Sequence, residues 1–194
     1  MTNLSNPLII QSDKTVLLEV ENPYYEECRD QLARFAELVK SPEHVHTYRI
    51  TPLSLWNAAA AGMTAEQITG ALQRFSKYDL PGNVRVDVAD YVTRYGKVKL
   101  LKREGNLLLV STDALLLTEI SRNKRIAPLL RGQVDANTLL VDPQARGHIK
   151  HALVDFGFPA EDLAGYVEGT PLPIALRAVT REGLPFGLRR YQRE

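Results

Sequence analysis

The chain has 194 residues, 44% of them hydrophobic and 24% charged, and a formal net charge of +1. That composition fits a soluble packed protein with room for one large domain or two small ones, and so even a charge does not by itself mark a nucleic-acid binder. Cys28 is the single cysteine, which excludes an internal disulfide and fits a reducing cytoplasm. The N-terminus has no basic n-region and no long apolar run, so neither secretion nor a membrane-spanning helix is expected. In chain order, Leu8–Gln11 and Thr15–Val20 read as short strands around an Asp13-Lys14 turn. Asn22-Pro23 opens a helix whose stripe is Tyr24, Cys28, Leu32, Phe35 and Leu38, ended by Ser41-Pro42. His44–Ile50 reads as a strand.

Thr51-Pro52 starts a second helix, with Leu53, Trp56 and Ala60 on one face and Gly62 as its stop. Thr64 and Gln67 make a capping box for a third helix, whose stripe is Ile68, Ala71, Leu72 and Phe75. Two short helices joined at Gly62 are a helix-turn-helix arrangement. Another helix, Val84–Tyr95, stops at Gly96, and a hairpin follows: Val98–Lys102, a turn at Glu104-Gly105-Asn106, and Leu107–Val110. Strand, three helices and hairpin predict a winged-helix-like module with the hairpin as its wing. Further on, Ser111-Thr112-Asp113 leads into a helix, and Thr138–Val141 runs through Asp142-Pro143 into a helix ending at Phe156. Strand-cap-helix units predict small α+β layers. Arg177–Gly187, polar and punctuated by Gly and Pro, reads as a linker.

The two halves differ in charge. Residues 1–96 hold nine Lys/Arg against twelve Asp/Glu; residues 97–194 hold fifteen against eleven. Any polyanion should therefore meet the second half. Two basic runs stand out there: Lys97, Lys99, Lys102 and Arg103 on the expected wing, and Arg122, Lys124, Arg125 and Arg131 after a helix. Such runs neutralise phosphates and release counterions, or else are solvated faces. No Gly-x-x-x-x-Gly-Lys-[Ser/Thr] loop and no adjacent Asp-Glu pair occurs, so ATP hydrolysis by this chain is not expected. His44 and His46, with Glu43 nearby, and the pair His148 and His151, beside Arg146 and Lys150, lack a third ligand at recognisable spacing. No metal, no cofactor and no catalytic residue is assigned. Trp56, on an apolar helix face, is expected in the core.

Four stretches carry a family resemblance: Pro7–Val20 (PLIIQSDKTVLLEV), Glu43–Gly62 (EHVHTYRITPLSLWNAAAAG), Leu140–Gly165 (LVDPQARGHIKHALVDFGFPAEDLAG) and Leu184–Glu194 (LPFGLRRYQRE). Together they resemble the N-terminal part of bacterial XPB-type (Ssl2-type) DNA repair helicases over nearly the whole chain. The resemblance implies a longer parent, an ATP-dependent 3′–5′ superfamily 2 translocase using ATP and Mg. The winged-helix-like module predicted from the pattern takes 1–96; the resemblance implies a small mixed α/β damage-recognition-like domain at 97–180, and a linker plus the start of the helicase core at 181–194. Arg189, Tyr191 and Gln192 would hold the adenine of ATP in that parent, although Arg190 stands where the family often has an acid. The implied partners are DNA, the parent's own helicase core, and a repair protein or nuclease, with no membrane.

Overall fold

The structure, a computed structural model, describes residues 3–166, 172–173, 175 and 177–188. It is α+β, with two sheets and two hydrophobic cores. The first sheet has strands β1 (Leu8–Ile10), β2 (Thr15–Glu19), β3 (Glu37–Lys40) and β4 (Val45–Arg49), all antiparallel, in the order β1-β2-β4-β3. Alternation along β2 sends Val16 and Leu18 into the core and leaves their neighbours half-exposed. Helices α1 (Tyr25–Leu32), α2 (Pro52–Ala60), α3 (Ala65–Phe75) and α4 (Gly82–Arg94) complete the first half.

Cap chemistry sets two of these starts. Thr51 and Ser54 exchange side-chain and backbone hydrogen bonds at 3.0 Å, and the Ser54 hydroxyl also donates to the Phe35 carbonyl at 2.8 Å. Thr64 and Gln67 form the expected capping box. At α1, Asn22 does not cap directly: its side chain accepts from the Tyr24 N–H and its carbonyl from the Tyr25 N–H, so the helix starts later than expected.

Two expectations fail here. Helix α1 ends at Leu32 rather than at Ser41, because the Phe35 and Ala36 N–H groups both turn back onto the Leu32 carbonyl. The turn drops Phe35 into the core, and the chain then extends as β3 against β4, leaving Leu38 54% exposed. On α2 the buried face is Leu55, Trp56 and Ala58, with Leu53 exposed. Trp56 is core, as expected, its indole N–H donating to the Tyr91 carbonyl at 3.0 Å.

The second sheet has strands β5 (Val98–Arg103), β6 (Asn106–Ser111), β7 (Leu130–Asp135), β8 (Thr138–Val141) and β9 (Ala160–Asp162), in the order β7-β8-β6-β5-β9. All neighbours are antiparallel except β5 and β9. Helices α5 (Ala114–Arg122) and α6 (Arg146–Phe156) cover one face, where Leu117, Ile120, Ile149 and Leu153 meet Val98, Leu100, Leu109 and Val141. Asp113 caps α5 by accepting from the Leu115 and Leu116 N–H groups at 3.1 Å. The β5–β6 hairpin is therefore not a wing of the first core: it is the centre of the second sheet. Its partners β8 and β9 are remote in sequence, so no local pattern reveals them. The Arg177–Gly187 stretch, read as a linker, includes a small hairpin closed by a Val179–Pro185 bridge and by Phe186 N–H to the Ala178 carbonyl at 2.8 Å.

Gly96, at φ +78°, turns the chain between the two cores in the left-handed region that glycine favours. Arg94 bridges them. Its guanidinium lies 5.2 Å from the rings of both Tyr91 and Phe158 and reaches the Gly157 carbonyl at 3.5 Å. Gly157 closes α6 at φ +91°, in the left-handed region that glycine favours, and a Cβ there would sit 3.2 Å from that guanidinium.

The start of the chain is fastened to the end of α3. Buried Asn6 donates through Nδ2 to the Arg74 carbonyl at 2.8 Å and the Ser76 carbonyl at 2.9 Å. Carbonyls in a helix's last turn have no partner within the helix, so this amide serves as a cap supplied from far away. Asn6→Ala should lower stability by roughly 1–3 kcal/mol in urea unfolding, because buried acceptors lose their donor. Asn6→Asp should lower it further, since an ionised carboxylate would face the same carbonyls and cannot donate.

Candidate nucleic-acid interface

The second sheet distributes its cations by register. Lys102, Leu107, Val141 and Leu130 form one cross-strand row, so the β5–β6 hairpin tip, the start of β7 and the start of α6 lie at the same end. The tip is a two-residue turn with Glu104 at φ +50° and Gly105 at φ +81°, the backbone that matches strand twist in tight hairpins. It lifts Lys102 and Arg103 into solvent. Arg131 lies at this end too, paired with Asp142 at 3.2 Å.

The other predicted cations lie elsewhere. Lys97 stands at the opposite end of β5, with its ammonium 6.0 Å from the centre of the Phe158 ring. Lys99 pairs with Glu161 across β5 and β9 at 3.1 Å. Arg125 pairs with Asp155, in the last turn of α6, at 3.0 Å. Arg122 and Lys124 are exposed and, among the described residues, have no ion pair. The eight cations thus form no single patch. Three are partly neutralised by acids, while Lys102 with Arg103 at the hairpin tip, and Arg122 with Lys124 after α5, are exposed with no ion pair among the described residues. The adenine residues expected at Arg189, Tyr191 and Gln192 lie outside the described residues.

The histidines are engaged singly. His44 Nδ1 is 3.0 Å from Glu21, His46 Nδ1 is 3.1 Å from the Tyr25 hydroxyl, and His151 lies 3.7 Å from Asp155. Among the described residues no three His, Cys, Asp or Glu side chains gather as a metal site. Burial, with the charge of Glu27 adding to it, pushes the Cys28 thiol up to about 12, so the thiolate form that carries cysteine reactivity is suppressed.

Arg146 and Lys150, noted in the sequence only as neighbours of His148 and His151, converge on Asp162. Arg146 donates through Nε and Nη2 at 3.1 and 2.8 Å, Lys150 at 2.9 Å, and the Ala164 N–H at 3.2 Å. Burial alone would raise the Asp162 pKa; these donors reverse that and hold it below the ordinary value. The remaining Arg146 nitrogen donates to the Gly165 carbonyl at 2.6 Å, and the guanidinium lies 5.1 Å from the centre of the Tyr166 ring. Asp162 and Tyr166 were not found in the sequence. The only available signal was the one-turn spacing of Arg146 and Lys150, which implies a shared acid but does not say where it comes from.

The family described as "Helicase conserved C-terminal domain" matches residues 8–135, which takes in the first core and the second sheet as far as β7. The chain is 52% identical over 188 residues to the DNA 3′-5′ helicase XPB of Mycobacterium tuberculosis, covering 96% of this chain and 33% of that protein. It is 49% identical over 189 residues to the DNA 3′-5′ helicase XPB of Kineococcus radiotolerans, covering 97% and 33%. It is also 33% identical over 130 residues to the general transcription and DNA repair factor IIH helicase/translocase subunit XPB of Schizosaccharomyces pombe, covering 66% and 16%. The chain spans about a third of the length of its bacterial relatives.

The depressed Asp162 pKa fixes a pH dependence. A carboxylate whose folded pKa lies below its unfolded value, about 3.9, adds stability above that value and loses it as pH falls through the folded pKa. Thermal melts between pH 7 and pH 3 should show Asp162→Asn less stable than the parent by roughly 1.5–3 kcal/mol at neutral pH, the range for charged hydrogen bonds. The gap should narrow below about pH 4.

Proposed function

The chain belongs to the helicase conserved C-terminal domain family and is a relative of the bacterial XPB helicases, and from that premise we propose that it is a non-catalytic DNA-binding and regulatory region of an ATP-dependent 3′–5′ DNA repair helicase. Its role is to position the motor on DNA. The observation that carries this reading is the hairpin tip of the second sheet, where Lys102 and Arg103 project without an acid partner among the described residues. Exposed cations of this kind contact phosphates without reading sequence. We assign residues 97–180 to a damage-recognition-like domain and residues 1–96 to a separate α+β module ahead of it, whose sheet is β1-β2-β4-β3 and to which the β5–β6 hairpin does not belong. ATP and Mg belong to the parent enzyme. The described residues include no glycine-rich phosphate loop and no Asp-Glu pair to hold them, and Arg189, Tyr191 and Gln192 are proposed as adenine contacts of the parent only. No described helix is long and apolar enough to cross a membrane, and the proposed location is the cytoplasm.

A second reading, a docking region for a repair protein or nuclease that regulates the ATPase with little DNA contact, is favoured by a different observation. Edge strand β3 leaves Leu38 and Val39 each 54% exposed.

DNA affinity should be on the order of micromolar or weaker and fall steeply with salt, with a log–log slope of about −0.9 per neutralised phosphate. Lys102→Glu with Arg103→Glu should weaken binding far more than Lys99→Glu with Arg131→Glu, because the second pair is already matched by acids. Fluorescence anisotropy across a salt series measures both. Binding that survives loss of Lys102 and Arg103 would leave the docking reading in place. The pure chain should also show no DNA-stimulated ATP turnover in a phosphate-release assay.

A further inference from the structure

Past β9 the chain forms a corner at the hairpin-tip end of the second sheet. Leu163 N–H donates to the Leu100 carbonyl at 2.9 Å, and Ala164 lines a cleft together with Lys102. This cleft, of about 200 Å³, is lined by Lys102, Gly105, Leu107, Pro143, Arg146 and Ala164. At its margin stands Tyr166, 92% exposed. One face of its ring lies over the Arg146 guanidinium, at 5.1 Å, and the other face is open.

Three properties of this corner matter together. Arg146 is held by Asp162 and the Gly165 carbonyl, so the cation beneath Tyr166 is fixed. Arg146 and Lys150 share a single carboxylate, so the corner stays net positive. Lys102 lines the cleft and Arg103 follows it at the hairpin tip, both carrying exposed charge. An aromatic plane backed by guanidinium, next to unpaired cations, matches what an unpaired nucleotide presents: one flat π-face and one phosphate. A base inside a duplex has both faces stacked on its neighbours, so only an unpaired base can use the ring.

We propose that this corner binds an unpaired nucleotide of a DNA strand, its base stacked on the free face of Tyr166 and its phosphate held by Lys102 and Arg103. The site deepens the DNA-binding reading above and rests on it. It adds a preference for single-stranded or locally opened DNA. Its stacking half, Arg146 and Tyr166, lies beyond the residues that the helicase family matches, while Lys102 and Arg103 lie within them.

The test is fluorescence anisotropy of the chain with a labelled oligo-thymidine strand and with a blunt duplex of equal length, at low and moderate salt. Tyr166→Ala should weaken binding to the single strand by roughly tenfold, the lower end for loss of one base stack, and leave duplex affinity unchanged. Tyr166→Phe, which keeps the ring, should retain single-strand binding. Lys102→Glu should weaken both DNAs. Because Tyr166 is exposed, an unchanged melting midpoint serves as the folding control. If Tyr166→Ala binds the single strand as the parent does, while both DNAs still bind, the stacking site is wrong and the DNA-binding reading stands. If neither DNA binds the parent chain even at low salt, both fall.

Discussion

One carboxylate closes the second sheet. Strand β9 has only three residues, and three residues of parallel pairing at an edge are marginal on their own. Asp162 ends that strand and receives four donors, from Arg146, Lys150 and the Ala164 N–H. An ionised carboxylate has about four lone-pair sites, so its hydrogen-bonding capacity is filled. Full occupancy matters because removing a carboxylate from water costs several kcal/mol, and each charged hydrogen bond returns only about 1.5–3. The side-chain donors, Arg146 and Lys150, come from the first two turns of α6, so the pairing ties the crossover helix to the strand that follows it. The path of the chain as far as Tyr166 depends on that tie.

Local chemistry was legible in the sequence, and remote pairing was not. Thr51, Thr64, Asp113 and Asp142 each accept a backbone N–H at the start of a helix or helical turn, as their residue types suggest. Gly62 and Gly96 adopt positive φ where helices were expected to stop. The hairpin was placed correctly as a hairpin but given to the wrong core, since its flanking strands arrive only after α5 and α6. Strand β3 was hidden because Phe35 and Leu38 continue a helical spacing that the chain does not follow. The cations were visible, but Glu161, Asp155 and Asp142, which neutralise three of them, come from other elements and only the fold brings them close.

The two cores meet through a small contact of unusual composition. Asp90 holds Arg94, whose guanidinium lies near Tyr91 on its own helix and Phe158 beyond α6. Guanidinium–aromatic contacts keep more of their strength in salt than exposed ion pairs do, because part of the attraction is dispersion between flat surfaces. Phosphate contacts weaken with ionic strength. Rising ionic strength therefore weakens this contact less than it weakens an exposed ion pair such as Arg125 with Asp155.

The parallel pairing of β5 with β9 also bears on how the molecule is made. The first core is complete once Val88 is available, with every strand of its sheet within residues 8–49. The second sheet holds β6 at its centre with β5 beside it, and one edge of β5 stays uncovered until α6 has formed and β9 has followed it. Closing so long a loop is a slow step, because chain entropy is lost before the contact is gained. Synthesis proceeds from the N-terminus, and structure forms in the emerging chain as it goes. On the ribosome the first core therefore has all its parts while β5 still lacks its outer partner, and the earlier half is settled before the second sheet can close.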